Sequence, residues 1–225
     1  MLCISLILCI FAPSNTDISM TEIAKRIDST NEGQILFISD FSDINDNEKV
    51  VSRALSVEEK RGKIVRLANG VYLRPKNTRF GIVCPSIDEM VMAIAQRDKV
   101  QVQPSGVTAL NKLGLSTQVP TKYTYLTSGS GRVLVLGNRT IELKRSVPKN
   151  FAFKTVLAAL LVQALRTLGQ KNIGEHELST IRKLVRDEER KDLFVQDLVL
   201  MPAWMRKMIT NIINNVHYDT LNKSH

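Results

Sequence analysis

The stretch Asp46-Asn-Glu-Lys-Val-Val-Ser-Arg-Ala-Leu-Ser-Val-Glu-Glu-Lys-Arg-Gly62, continued by Lys63-Ile-Val-Arg-Leu-Ala-Asn-Gly-Val-Tyr-Leu-Arg-Pro75, decides how the N-terminal part of the chain is read. Its first half predicts a helix. Asp46 or Asn47 can accept hydrogen bonds from the free amides of a first turn, and Gly62 can take the left-handed conformation that closes a last one. At about 100° per residue, Val51, Ala54 and Leu55 fall on one stripe. Lys49, Ser52, Arg53, Ser56 and Lys60 fall opposite, and each is a cation or a hydroxyl. The second half predicts a hairpin: Lys63 to Leu67 and Val71 to Arg74 are β-prone runs joined through Asn69-Gly70, and Pro75 ends the second run.

Upstream, Ile23, Ala24 and Ile27 recur at helical spacing between Thr21 and Asp28, with Thr21 as the cap and Asn31 and Gly33 as the stop. Ile35 to Ile38 is a short apolar strand or the start of a second helix, and Ser39 to Ile44 places Phe41 and Ile44 three apart. Helix, helix, helix and hairpin is the order of a winged helix-turn-helix, whose third helix enters the major groove of DNA. Charge follows the same division. Asp28 to Glu48 holds six acidic residues and no basic one, whereas Lys49 to Lys76 holds eight basic and two acidic. The expected interface is therefore Lys49, Ser52, Arg53, Ser56 and Lys60 in the groove, with Arg66, Arg74 and Lys76 on the wing against phosphates or the minor groove. Glu58 is the exception, because it falls in the buried stripe. It fits there if the helix frays or if it pairs with Lys60 or Arg61.

Beyond Lys76 the pattern changes. Ser86 opens an amphipathic helix with Ile87, Val91, Ile94 and Ala95 on one face, and Ser105 or Gly106 begins another that ends near Gly114. Tyr123 to Leu126, Arg132 to Leu136 and Thr140 to Leu143 predict three strands joined by Ser128-Gly-Ser-Gly131 and Gly137-Asn138. Helices follow over Phe151 to Leu168, Glu175 to about Leu200 and Ala203 to about Val216, the last opened by Pro202. The expected fold is α+β: a winged helix-turn-helix over 20–76, then a mixed α/β domain over 77–216 that ends in a helical segment, and a tail over 217–225. Residues 1–19 are expected to be an extension outside the fold, with Met20 as the natural start. Met1 to Ala12 is apolar, yet it lacks a basic leading region and a cleavage site and is too short to span a bilayer. The expectation is a cytoplasmic protein with no stable membrane association.

The chain has 225 residues, is 44% hydrophobic and 24% charged, and carries a formal charge of +9, which favours a polyanionic partner. Cys3, Cys9 and Cys84 have no metal-ligand spacing, and His176, His217 and His225 have no cysteine or histidine placed to complete a zinc site. No metal, no cofactor and no catalytic residue is expected, so the chain reads as a non-enzyme. Ser128 to Gly131 lacks the Lys-Ser or Lys-Thr and the following helix of a phosphate loop, and reads as a hairpin tip. Asp187, Glu188, Glu189 and Asp192 interleave with Arg186, Arg190 and Lys191, the pattern of an exposed helix with i,i+4 pairs. Trp204, beside Met201, Met205 and Met208, reads as helix packing.

The segment Gln103-Pro-Ser-Gly-Val-Thr-Ala-Leu-Asn-Lys-Leu-Gly-Leu-Ser-Thr-Gln-Val-Pro120, continued by Tyr123-Thr-Tyr-Leu-Thr-Ser-Gly129, resembles the AbiEi-type antitoxins of bacterial abortive-infection systems. Lys63-Ile-Val-Arg-Leu67 and Gly70-Val-Tyr-Leu-Arg-Pro-Lys76 carry the resemblance into the hairpin, and it extends loosely over residues 20 to about 200. It implies two roles: repression of the chain's own promoter through the winged helix on double-stranded DNA, and opposition to a nucleotidyltransferase-type toxin through the larger domain. Val57 and Glu58 depart from the family, which usually has a basic residue and then a leucine there. The alternative is a winged-helix module that contacts protein and does not bind DNA specifically.

Overall fold

Two separate clusters of buried apolar side chains organise the chain. The computed structural model describes residues 15–79, 81–136 and 139–222. It divides the chain into the units Met1–Ser86 and Ile87–His225, with the boundary after Ser86 rather than after Lys76. The fold is mixed α+β.

The first unit comprises α1 (Asn15–Ser29), β1 (Ile35–Phe37), a 3₁₀ turn (Ile38–Phe41), α2 (Glu48–Lys60), β2 (Val65–Ala68), β3 (Val71–Leu73), β4 (Lys76–Thr78) and β5 (Gly81–Val83). Its core joins Ile23 and Ile27 of α1 to Leu36, Phe41, Val51, Leu55, Ile64 and Tyr72. Phe41, Leu55 and Ile64 are essentially inaccessible, and each such burial contributes about 1.5–3 kcal/mol. β1 and β2 both pair antiparallel with β3, giving the order β1-β3-β2. The run after Gly33 is therefore a strand that joins the hairpin, and the middle helix shrinks to one 3₁₀ turn with Phe41 at its buried end.

Three expectations for this unit are corrected. α1 begins at Asn15, so Thr21 lies inside it and is not its cap. The reason is Ser19, which is buried and whose hydroxyl accepts a hydrogen bond from Asn45 Nδ2 at 3.1 Å. Residues 15–19 thus belong to the fold, and residues 1–14, with Cys3 and Cys9, lie outside the described residues. Pro75 ends β3, but the chain re-enters extended structure at once, and Lys76 pairs opposite Val83 in a separate two-stranded sheet.

The second unit comprises α3 (Ile87–Asp98), β6 (Val102–Ser105), α4 (Gly106–Lys112), β7 (Lys122–Thr127), β8 (Arg132–Leu136), β9 (Arg139–Arg145), α5 (Val156–Leu168), α6 (Glu175–Asp187), α7 (Lys191–Asp197) and α8 (Ala203–Asn222). The sheet order is β6-β7-β9-β8, with β7 parallel to β9 and the other pairs antiparallel. Ser128 to Gly131 is consequently no hairpin tip: β7 and β8 do not pair, because β9 lies between them. The Gly137-Asn138 turn lies outside the described residues. Tyr125, Ile141 and Leu143 are buried on one face of the sheet, where the Tyr125 hydroxyl donates to Asp88 of α3 at 2.7 Å.

α5 is the centre of the second core, with Ala158, Leu161, Val162, Ala164 and Leu165 fully buried. It starts at Val156 rather than Phe151, because Thr155 caps it by accepting from Ala158 N. The buried Asp197 carboxylate reinforces that start, accepting from Thr155 N at 2.8 Å, the Thr155 hydroxyl at 2.7 Å and Lys154 N at 2.9 Å. The helix expected over Glu175 to Leu200 is broken at Glu188, which is extended (ψ 123°), and α7 carries Asp197 to α5. The break also removes the expected i,i+4 ladder. Within Arg186 to Asp192 the ion pair present is Arg186 with Asp187 at 3.7 Å. α8 runs to Asn222, past Val216, with Met201 and Met205 buried and Trp204 packed on the same core. Among the described residues no helix is long and apolar enough to cross a membrane.

Candidate nucleic-acid interface

α2 is held so that one stripe faces inward. Asn47 is the cap, accepting from Lys49 N at 3.1 Å, and the helix closes at Gly62 (φ +75°), with Gly62 N donating to Glu59 O at 2.9 Å and Lys63 N to Glu58 O at 3.1 Å. Val51, Ala54, Leu55 and Glu58 are buried. Lys49, Arg53 and Lys60 are exposed, and Ser52 and Ser56 are half-buried, the Ser56 hydroxyl donating to Ser52 O at 2.9 Å. Lys49, Ser52, Arg53 and Ser56 line an open groove of about 540 Å³ together with Glu48, Ile38, Asn69 and Gly70, so the helix stripe and the tip of the β2–β3 hairpin border the same space, with one carboxylate at the first turn of α2. Gly70 (φ +72°) needs its left-handed backbone for that tip, and a Cβ there would touch Ile38 Cδ1 at 3.5 Å. Among the described residues Lys49, Arg53 and Lys60 have no ion pair. Lys60 lies on the same helix beyond the groove.

The hairpin residues divide. Arg66 is exposed and donates to Asn69 Oδ1 at 3.0 Å, which leaves its charge uncompensated beside the tip. Arg74 is half-buried and its guanidinium donates to Ile27 O, near the C-terminal end of α1, while Arg74 N donates to Gln34 O at 2.9 Å and Arg74 O accepts from Gly33 N at 2.7 Å. Ile27 O also accepts from Thr30 N at 3.2 Å, so Arg74 adds a second donor there, and a cation at the last carbonyls of a helix complements the helix dipole. Arg74 therefore ties α1 to β3. Lys76 is exposed on β4, away from the groove lining.

Glu58 has a structural account. It is 3% exposed and pairs with Arg61 Nη1 at 2.6 Å and Lys63 Nζ at 3.6 Å. Lys63 also donates to both Asp28 oxygens at 2.9 and 2.8 Å, and this hydrogen bonding, with the charges of Asp28 and Glu58, outweighs burial and holds its ammonium above the ordinary lysine range. Across α1, Arg26 makes a bidentate pair with Asp43 at 2.9 and 2.6 Å and also donates to Asp40 O. The Arg26 hydrogen bond draws the Asp43 carboxyl below its usual range. Arg61, Lys63 and Arg74 are thus committed inside the unit, while Lys49, Arg53, Lys60, Arg66 and Lys76 keep their charge for a partner. The expected interface left out Arg61 and Lys63, and Glu58 in the apolar stripe pointed to the Arg61 pair but not to Lys63.

The net charge does not concentrate on this face. Residues 1–86 hold eleven basic and ten acidic side chains, whereas residues 87–225 hold twenty and twelve. Among the described residues no group of three His, Cys, Asp or Glu side chains could hold a metal ion.

Fold and site together define a mixed α+β protein that carries a capped helix with unpaired cations beside a hairpin tip. The chain belongs to the DUF6088 family, a family of unknown function, which it matches over residues 22–193. No curated protein matches it.

Proposed function

We propose that the first unit is a winged helix-turn-helix that binds double-stranded DNA, with α2 in the major groove and the β2–β3 hairpin as its wing. The observation that carries the reading is the shared groove: Lys49, Ser52, Arg53 and Ser56 border the hairpin tip at Asn69-Gly70, and Lys49 and Arg53 have no ion pair among the described residues. A hydrogen-bonding stripe opposite a buried one is what base-edge recognition requires of a helix, and an arginine can address guanine with two donors at once. Arg66 adds a phosphate contact from the wing. With the likeness to AbiEi-type antitoxins, the protein is a cytoplasmic, non-enzymatic antitoxin that represses its own operon. Its second unit counters a nucleotidyltransferase-type toxin encoded beside it.

A second reading, a winged-helix module that contacts protein alone, is favoured by the near balance of charge over residues 1–86. Titration of the full chain against its own promoter and a random duplex separates the two. The DNA reading expects promoter preference and a steep fall of affinity with salt. Equal, salt-insensitive binding to both duplexes overturns it. Co-expression with the adjacent gene tests the antitoxin role, and growth arrest unrelieved by the full chain would exclude it.

A further inference from the structure

β6 is a terminal strand of the second unit's sheet, and its outer edge is the floor of a groove. The direction of its backbone groups follows from the register. Ser128 N donates to Gln101 O at 3.0 Å, and the pairing continues without a bulge through Gln103↔Leu126 and Ser105↔Thr124. In an antiparallel pair the hydrogen-bonding residues alternate, so Gln101, Gln103 and Ser105 face β7, while Val102 and Pro104 turn their N–H and C=O groups outward. Pro104 fits that position, because a strand proline is tolerated where its missing N–H would point away from the sheet.

Each wall of the groove comes from one face of the sheet. α3 supplies Met92, Ala95 and Gln96, and the segment entering α5 supplies Phe151, Phe153 and Val156, around a volume of about 540 Å³. The walls present apolar surface to solvent: Met92 is 54% exposed and Val156 66%. Gln103, whose Nε2 donates to Ala159 O at 2.6 Å, fastens α5 to β6. Lys99 and Lys154 lie on the rim. Lys99 has no ion pair among the described residues, and its backbone is left-handed (φ +53°), a rare conformation for a residue with a Cβ. Lys154 donates to the neutral Gln196 at 2.6 Å, which leaves its charge uncompensated.

We propose that this groove docks an extended segment of a partner protein, which adds as an antiparallel strand to the outer edge of β6, turns alternate apolar side chains onto the Met92 and Phe153 walls, and sets a carboxylate against Lys99 or Lys154. The segment donates amides to Val102 O and Pro104 O and accepts from Val102 N. Main-chain bonds of this kind give affinity and alternate side-chain pockets give specificity. The acidic character follows from the two unpaired rim lysines and from the excess of twenty basic over twelve acidic residues in 87–225. The site is independent of DNA binding by the first unit.

The test pans a display library of random ten-residue peptides on the full chain and measures the leading synthetic peptide by fluorescence anisotropy. Successive side chains of a strand point to opposite faces, so selected sequences are expected to carry consecutive apolar residues, one for each wall, and Asp or Glu at one end. Val102→Pro removes the outward donor without touching the β7 pairing, and should weaken binding about fivefold or more. Lys99→Ala and Lys154→Ala should weaken it and flatten its salt dependence. Peptides N-methylated at single amides provide a measurement that leaves the protein untouched: methylation in the register facing β6 should abolish binding, and in the alternate register should leave it. Failure to enrich any peptide, or equal tolerance of methylation in both registers, overturns the proposal.

Discussion

Arg53 and Arg74 lie in the same basic stretch of sequence, yet the structure gives them different work, and paired variants should separate them. Arg74→Met keeps the aliphatic stem and removes the guanidinium from Ile27 O. A hydrogen bond from a charged donor contributes about 1.5–3 kcal/mol, and a cation at a helix C-terminus about 0.3–1 kcal/mol. The loss should therefore be about 2–4 kcal/mol, which for a unit of this size lowers the melting temperature by roughly 10 °C or more. Arg53 is exposed and has no ion pair among the described residues, so Arg53→Ala should change stability by no more than about 0.5 kcal/mol. On DNA the order reverses. Arg53→Ala should narrow the gap between promoter and random duplex by about 1–3 kcal/mol, roughly 5- to 150-fold, while Arg74→Met, measured well below its melting point, should leave the gap unchanged. Thermal melts of both variants with anisotropy titrations at several salt concentrations decide the matter. An Arg74→Met protein that melts like the parent but binds both duplexes more weakly, with a salt slope reduced by about one, would restore a phosphate contact and refute the tie to α1.

Asn47→Ala removes the cap of α2 and should cost about 1 kcal/mol in a denaturant titration, with a parallel loss of DNA affinity, since the same turn presents Lys49. Asp197→Ala strips the acceptor from Lys154 N, Thr155 N and the Thr155 hydroxyl together, and should cost about 3 kcal/mol or more in the same assay. Burial pushes Asp88 and Asp98 up, but hydrogen bonds from Lys112 and Tyr125 on the first, and the contacts of Arg97 and Arg132 with the second, leave both below the ordinary 3.8. Their contribution is complete above that value and fades as pH falls through the lower folded values, so the second unit should lose stability on acidification below about pH 3.8, and Asp88→Asn should flatten that dependence.

What was legible in the sequence was periodic or carried a local signal. The two stripes of α2, its Asn47 cap and Gly62 stop, and the Asn69-Gly70 turn all express themselves within a few residues, and the structure has each of them. What was not legible depends on distant partners. Arg74 bonds a carbonyl 47 residues away, and Asp197 caps a helix start 42 residues before it. β6 is four residues long with a proline inside, so no alternation marks it. β9 entered between β7 and β8 as a parallel neighbour of β7, although good turn residues between consecutive strands argued for a meander. The break at Glu188 has no glycine or proline to announce it.

The distribution of charge sharpens what the proposed interface can do. With eleven basic and ten acidic residues, residues 1–86 attract a polyanion through placement rather than through net charge. Three acids, Asp28, Asp43 and Glu58, are consumed in internal pairs with Lys63, Arg26 and Arg61. At about 0.1 M salt the field of an exposed charge decays over about 10 Å, so carboxylates remote from the groove contribute little to what a phosphate meets there. The free cations of the expected interface are Lys49, Arg53, Lys60, Arg66 and Lys76, and five phosphates neutralised on duplex DNA correspond to a slope of log affinity against log salt of at most about 4.5. A measured slope at or below that value fits contact confined to this set. A steeper one requires cations beyond it, and the excess of basic residues in 87–225 is one source of them. Charge-reversing Lys122, Lys144 and Arg145, exposed residues of β7 and β9, then decides whether the second unit touches the duplex. If the DNA contact belongs to the first unit, those changes should leave promoter preference and the slope as they were.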